Sequence, residues 1–359
     1  MNILDKYIIK KFLTAFVFTV FIIVSVICVI DFTEKNDDFI QHNLTLKQIV
    51  FEYYVFLFPY FSNLLAPITI FIAVVFVTAQ LAARTEIVAI MASGVSFRRL
   101  LAPYMAAAAL VGLFIFALTG WVLPVANKER VRFERAYIKL PYRFKGRDVH
   151  IRIGPRSYVY MESYDNTHNT GYRFALETID STILRRRMTA DAITWDSTKQ
   201  VWHLTPQLDR TFRGAQDEVL RSIPARDTTL RLTPKDFASH YREEETLTLP
   251  QLNKFIAEMQ ERGADDTATY LSAKYERYSY PFATLILTLI GVSLSARKSR
   301  AGVGGQIALG FVLAFVFIIF VMLSRNLAQV GSLAPLVAAW VPNSIFAVIG
   351  VALYRFVPK

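Results

Sequence analysis

Six long stretches of this sequence carry almost no charge, and a chain built that way must fold with lipid as part of its solvent. A bilayer core of about 30 Å takes roughly 20 apolar residues per helical span, and a run of that length has no equivalent in a water-soluble core of ordinary size. The stretches are Phe12 to Ile30, a segment within Tyr53 to Ala83, Leu100 to Leu123, Tyr278 to Ala296, Gln306 to Leu323 and Pro335 to Phe356. Pro59 and Pro67 interrupt the second, which neighbouring helices tolerate by satisfying the freed backbone groups. The first follows Lys6, Lys10 and Lys11, as a secretory signal would, but its apolar run is too long and no small-x-small cleavage site follows it. It reads as a retained helix. Tyr275, Tyr278, Tyr280, Trp340 and Tyr354 stand near span ends, where amphipathic rings favour the membrane interface.

Lysine and arginine counts near the span ends orient the chain. Lys6, Lys10, Lys11, Arg84, Arg98, Arg99, Arg297, Lys298, Arg300, Arg355 and Lys359 fall on the N-terminal side, against Lys35, Lys47 and Arg325 in the opposite short loops. Both termini and two short loops are therefore expected in the cytoplasm, and the long segment between the third and fourth spans outside. Much of the formal +11 charge belongs to this pattern, so nucleic-acid binding is not indicated. The single cysteine, Cys28, lies in a span and excludes a disulfide framework and a thiolate metal site.

From about Asn127 to Pro250 the composition turns polar, and β-forming runs recur at Val149 to Ile153, Tyr158 to Glu162, Tyr172 to Leu176, Val201 to Thr205 and Thr228 to Leu232. Gly154-Pro155, Asp165-Asn166 and Asn169-Thr170-Gly171 punctuate them, the pattern of an all-β sandwich or jellyroll. Leu249 to Arg262 then predicts a helix with Leu252, Phe255, Ile256 and Met259 on one face, bridging to the fourth span. The expected division is 1–126 for spans one to three, 127–250 for the β domain, and 251–359 for the connecting helix and spans four to six.

Catalytic signatures are missing. There is no Gly-Lys-Ser or Gly-Lys-Thr phosphate loop, so the chain carries no P-loop ATPase of its own. Gly302, Gly304 and Gly305 follow no strand and read as a flexible helix entry. His42, His150, His168, His203 and His240 are scattered without metal-ligand spacing, and Ser93-Gly94 lacks the preceding residues of a nucleophile elbow. No span holds the paired carboxylates of a proton-driven pump. The polar segment from Arg84 to Arg99 reads as a short interfacial helix that buries Ile87, Ile90 and Met91. Glu86 in it admits a bland reading, a solvated ion pair with Arg84 or Arg98 worth ~0 to 1 kcal/mol.

At these residues the chain resembles the LptF/LptG family, the paired permease subunits of the bacterial lipopolysaccharide transporter, and it is closest to the G type. The resemblance rests on Ile3-Leu4-Asp5-Lys6-Tyr7, on Arg84-Thr-Glu-Ile-Val with Met91-Ala-Ser-Gly94, on Val201-Trp202-His-Leu204, and on the order of spans and exported domain. It implies a six-helix inner-membrane subunit with a periplasmic β-jellyroll, joined to a homologous F-type permease and to a dimer of cytoplasmic ATPases that bind ATP and magnesium. A single-span regulatory subunit, a periplasmic jellyroll bridge and lipopolysaccharide are the further partners implied; the chain itself needs no cofactor. The segment about 84–99 corresponds to the family's coupling helix, which places Arg84, Glu86, Ile87, Met91 and Gly94 at the ATPase contact. Helices one and five are implied to border the lipid cavity.

Relatives carry lysines at the outer end of helix one that meet lipid phosphates. Here that stretch reads Asp31-Phe-Thr-Glu-Lys35-Asn-Asp37-Asp38, with Lys35 its only cation. Substrate contacts are therefore expected from Lys35 and Asp31, and from a basic run after helix three that includes Arg130, Arg132 and Arg135. That run admits a second reading as a solvated face near anionic headgroups. A rival function also stands: a membrane-anchored structural or ligand-sensing protein whose helices only hold the β domain in place.

Overall fold

The computed structural model describes residues 3–138, 147–180, 182–212, 218–237, 242–261, 267–297 and 302–357. The chain divides into two compact units: 1–138, 242–253 and 268–359 form one, and 139–241 with 254–267 form the other.

In the first unit, α1 (Ile3–Gln41) runs unbroken through the first apolar block, and α2 (Leu46–Gln48) starts at Thr45, which closes a capping box with Gln48. A π-helical turn, Ile49–Tyr54, leads into α3 (Val55–Leu64), and α4 (Ala66–Ala83) follows. The second span is thus broken at Leu65. Pro67 lies in the first turn of α4, where its missing N–H removes no intrahelical bond, so the proline starts a new helix there. After α5 (Glu86–Ala92), α6 (Phe97–Ala117) continues through a π-helical turn into α7 (Leu123–Phe133) and a last π-helical turn, Glu134–Ile138. The helical arm therefore passes the boundary expected at 127 and carries Arg130, Arg132 and Arg135 with the bundle. A short α8 (Glu243–Thr246) and the start of α9 (Leu249–Glu261) return the chain to this unit, which ends with α10 (Thr267–Ser295), α11 (Gly302–Gln329) and α12 (Pro335–Phe356). Thr248 at the start of α9 donates its backbone N–H to Gln251 Oε1 at 3.0 Å; Arg262, the expected end of that helix, lies outside the described residues.

Among the described residues, six helices are long and apolar enough to cross a membrane. In α4, 78% of the apolar stretch is buried, against 6% in α1, 22% in α11 and 28% in α12, so α4 is the hub and α1, α11 and α12 keep open apolar faces. Hydrophobicity does not drive helices together in lipid, so close packing must do it, and small residues permit that. Gly291 of α10 faces Phe71 and Val74 of α4, where an added Cβ would stand 2.9 Å from Val74 Cγ1. Gly112 of α6 likewise meets Thr284 and Pro281 of α10.

Among its described residues the second unit is an antiparallel sheet of eight strands that fits a jellyroll: β1 (Arg147–Gly154), β2 (Ser157–Asp165), β3 (Thr170–Asp180), β4 (Ile183–Asp196), β5 (Val201–Leu204), β6 (Gln207–Phe212), β7 (Glu218–Ile223) and β8 (Arg226–Thr228). The order is β1-β2-β3-β4-β5-β8, with β6 paired to β4 and β7 to β6. Alternate residues of the strands, Val159, Met161, Phe174, Met188, Ala190, Trp202 and Leu204 among them, form the apolar core. Trp202 is fully buried and its Nε1 donates to Leu232 O at 2.7 Å, which satisfies the one polar group of the indole. The strand expected over Thr228 to Leu232 is corrected: pairing ends at Thr228, and Leu230 and Leu232 reach the core from irregular backbone. β4, β6 and β7 are not marked by sequence runs, because Arg185, Arg186 and Arg187 of β4, Asp209 and Arg210 of β6 and Glu218 of β7 interrupt them with charges that pair across the strands.

Candidate functional site

Three groups of sequence-marked residues occupy the helical unit. The first is the α5 segment. Arg84 ends α4, and Thr85 reverses the chain with φ +61°, a left-handed conformation that is costly for a β-branched residue. Gly94 closes the segment at φ +89° with its N–H donating to Met91 O at 3.0 Å, a helix-terminating position that glycine fills comfortably. Ile87 is buried in the bundle core, with Ile90 and Met91 packed against the same cluster. The opposite face exposes Val88, Ala89, Ala92 and Ser93, spaced as one helical stripe. Arg84 is exposed as well.

Glu86 does not pair with Arg84 or Arg98. Its Oε2 accepts from Tyr7 Oη at 2.9 Å, and its Oε1 lies 3.9 Å from Lys11 Nζ, both on α1. Lys11 Nζ in turn stands 4.4 Å from the Tyr7 ring centroid. The carboxylate side chain remains 29% exposed, so it is held from one side and open on the other. Nearby, Arg99 of α6 grips Asp5 of α1 with two bonds of 2.6 and 2.9 Å. Sequence spacing alone could have paired Tyr7 with Lys11, four residues apart on one helix face, but not either of them with Glu86.

The second group lies at the other end of α1. Lys35 donates to Asp31 Oδ1 at 2.6 Å and to the Tyr53 hydroxyl, while Tyr54 Oη donates to Asp31 Oδ2 at 3.1 Å. Lys35 and Asp31 are thus brought together, and the lysine charge is already met within the chain. Tyr53 belongs to an aromatic cluster with Phe39, Leu57 and Phe133; nothing in its spacing marked it as the partner of Lys35.

The third group separates what the sequence joined. Arg130 is fully buried; its guanidinium bonds Glu134 at 2.8 Å, Asn127 at 3.3 Å and Glu245, and stands 4.0 Å from the Tyr60 ring centroid. A solvated face is therefore excluded for Arg130. Arg132 is exposed beside Glu129 at 3.1 Å, and Arg135 is exposed. Lys139, Arg143 and Lys145 lie outside the described residues, and Arg147, Arg152 and Arg156 belong to the second unit. The network around Arg130 extends to residues that no motif announced. Arg277 of α10 donates to the carbonyls of Leu247 at 2.8 Å and Glu244 at 2.7 Å, and Arg325 of α11 reaches Glu244 and Glu276 at 3.8 and 3.6 Å. Burial pushes the Glu244 carboxyl above the usual range. A cavity of ≈ 100 Å³ lies among Tyr60, Asn127, Glu244, Glu276, Arg277 and Arg325. On another side of the bundle α1, α3 and α6 form an apolar groove of ≈ 330 Å³, lined by Phe16, Val20, Phe21, Phe58, Ala66 and Phe114.

The family model described as lipopolysaccharide export system permease LptF/LptG matches residues 6–355, which takes in both units. The chain belongs to the LptF/LptG family. Similar relatives are two proteins named lipopolysaccharide export system permease protein LptG, from Escherichia coli strain K12 and from Escherichia coli O6:H1, each 21% identical over 359 residues, with 98% of both chains covered. The six spanning helices and the inserted antiparallel β domain agree with that membership. Within the six spanning helices, α1 and α11 are the first and fifth, and α5 lies between the second and the third.

Proposed function

We propose that this chain is a G-type permease subunit of an ATP-driven lipopolysaccharide transporter in the inner membrane, with both termini cytoplasmic and the β domain periplasmic. The observation that carries the reading is the family match across helices and sheet together, since an anchored sensor would need the resemblance in neither the α5 segment nor the open helices. Two features of the geometry support it. First, α1 and α11 keep apolar faces uncovered, as expected of helices that meet a homologous F-type subunit and a lipid. Second, α5 offers a small-residue stripe and one half-open carboxylate, a shape that a groove on an ATPase can seat.

In this mechanism ATP and magnesium reside on the partner ATPase dimer, whose closure moves α5. The movement narrows the cavity between α1 and the fifth helix of the F-type partner, and the lipid passes to the β domain and on to a periplasmic bridge. Acyl chains suit the groove beside Phe16, Phe21 and Phe58. Phosphates would be met by Arg132 and Arg135, which are exposed, more readily than by the half-buried Lys35. Affinity purification of the full chain from its own host, in mild detergent, tests the reading. A second six-span homologue and a P-loop ATPase should accompany it; recovery of the chain without either would overturn it.

A further inference from the structure

The Tyr7–Glu86 bond ties the coupling segment to the N-terminal turns of α1, and we propose that Tyr7 is a positioning residue which makes α5 and α1 move as one piece. This inference rests on the transporter reading and goes beyond it, because that reading places Glu86 against a partner and leaves Tyr7 and Lys11 without a role. A carboxylate has room for several donors. Glu86 uses Oε2 for Tyr7 at 2.9 Å, and the nearest cation, Lys11, stands off at 3.9 Å, too far for a hydrogen bond. Lys11 Nζ is itself buried with no hydrogen-bond partner, and lies against the Tyr7 ring. The carboxylate therefore keeps acceptor capacity on its exposed side while its inner side is fixed. A partner cation docking there pulls on Tyr7, and through it on α1.

Two more contacts make the tie stiff. Ile87, the neighbour of Glu86, is buried in the same cluster as Ile8 and Phe12 of α1, so the carboxylate cannot swing away without unpacking it. Arg99 and Asp5 join α6 to α1 two residues before Tyr7, with both oxygens engaged. Thr85, held at positive φ, fixes the entry to α5 from the α4 side. α1, α4 and α5 share one apolar cluster, and the Tyr7–Glu86 bond adds a directional, charge-assisted tie between α5 and α1, the helix that the mechanism requires to move.

The test uses the assembled complex in proteoliposomes, with lipopolysaccharide release per ATP hydrolysed and amide hydrogen exchange of α5 as readouts. Tyr7→Phe, which keeps the ring and removes the donor, should lower release per ATP about ten-fold, the factor a hydrogen bond to a charged group is worth. It should also speed exchange over Glu86–Ala92. Combining Tyr7→Phe with Glu86→Ala, which removes the acceptor, should give no greater loss than the more severe single change, because both cut one link. Wild-type release per ATP and wild-type exchange in Tyr7→Phe, or losses that multiply in the double variant, overturn the inference. Should the unaltered complex release no lipid, the transporter reading falls, and the exchange of α5 alone still decides whether Tyr7 holds it.

Discussion

At the residue scale, burial decides what a charged side chain can do, and Arg130 is the instructive case. By sequence it is one of many cations in a basic run, available to a phosphate; in the fold it has no exposed surface and three partners beside an aromatic ring. Removing one member of a buried ion network leaves the others uncompensated, which costs about 3–5 kcal/mol. Arg130→Met should therefore lower the thermal stability of the purified chain by that order, whereas Arg132→Ala, at an exposed pair, should change it by less than about 1 kcal/mol. Differential scanning calorimetry in detergent separates the two, and equal effects would refute the assignment. In the β domain, Asp165 accepts from the Thr167 N–H at 2.8 Å and lies 2.6 Å from His168 Nδ1, which lowers its pKa to about 2. A carboxylate depressed on folding contributes stability that is complete above its unfolded value near ~4 and is lost as the pH falls through about 2. Amide protection in the Asp165–Thr170 turn, taken relative to the intrinsic exchange rate at each pH, should accordingly fall on acidification in that window. In Asp165→Asn the turn should exchange faster at neutral pH and show a flatter acid limb.

At the scale of elements, the spans themselves were legible as apolar runs, yet their ends moved wherever backbone geometry outvoted composition. The second span begins anew at Ala66 because of Pro67, and the third continues as a helical arm to Ile138 although charges accumulate from Lys128 onward. Those charges lie on the arm because Asn127, Arg130 and Glu134 follow one another at helical spacing, Arg130 binds Glu134, and Asn127 and Arg130 both bond Glu245 of α8. Helix contacts through glycine left no clear sequence signal, since a glycine in an apolar run has the same appearance whether it faces lipid or a neighbour. Gly291→Leu should separate α10 from α4, because even a Cβ there stands 2.9 Å from Val74 and overpacking costs about 1–3 kcal/mol. Gly304, with nothing within reach of an added Cβ, should accept alanine with little change in melting temperature. Comparable losses at both positions would contradict the packing described.

At the scale of the whole molecule, the distribution of lysine and arginine makes a prediction that no contact in the fold supplies. A reporter active only in the cytoplasm should work when fused after Lys359 and fail when inserted between Asn166 and Thr170, because positive loops resist translocation. Activity at the second site would invert the proposed topology and, with it, the side on which α5 meets an ATPase. Sequence by itself determined the membrane class, the number of spans, the inserted β domain and the family, because hydropathy and turn chemistry are local properties and the bilayer imposes one length on every span. It also located Glu86, Lys35 and Arg130 as polar residues in noteworthy places. Only the tertiary structure decided their partners: Tyr7 for Glu86, Tyr53 and Asp31 for Lys35, and Glu134 and Glu245 for Arg130. An ion pair or hydrogen bond depends on which side chains packing brings within about 3 Å. Residues 79 positions apart, such as Tyr7 and Glu86, meet only because the apolar face of α5 is buried against α1 and the bundle core.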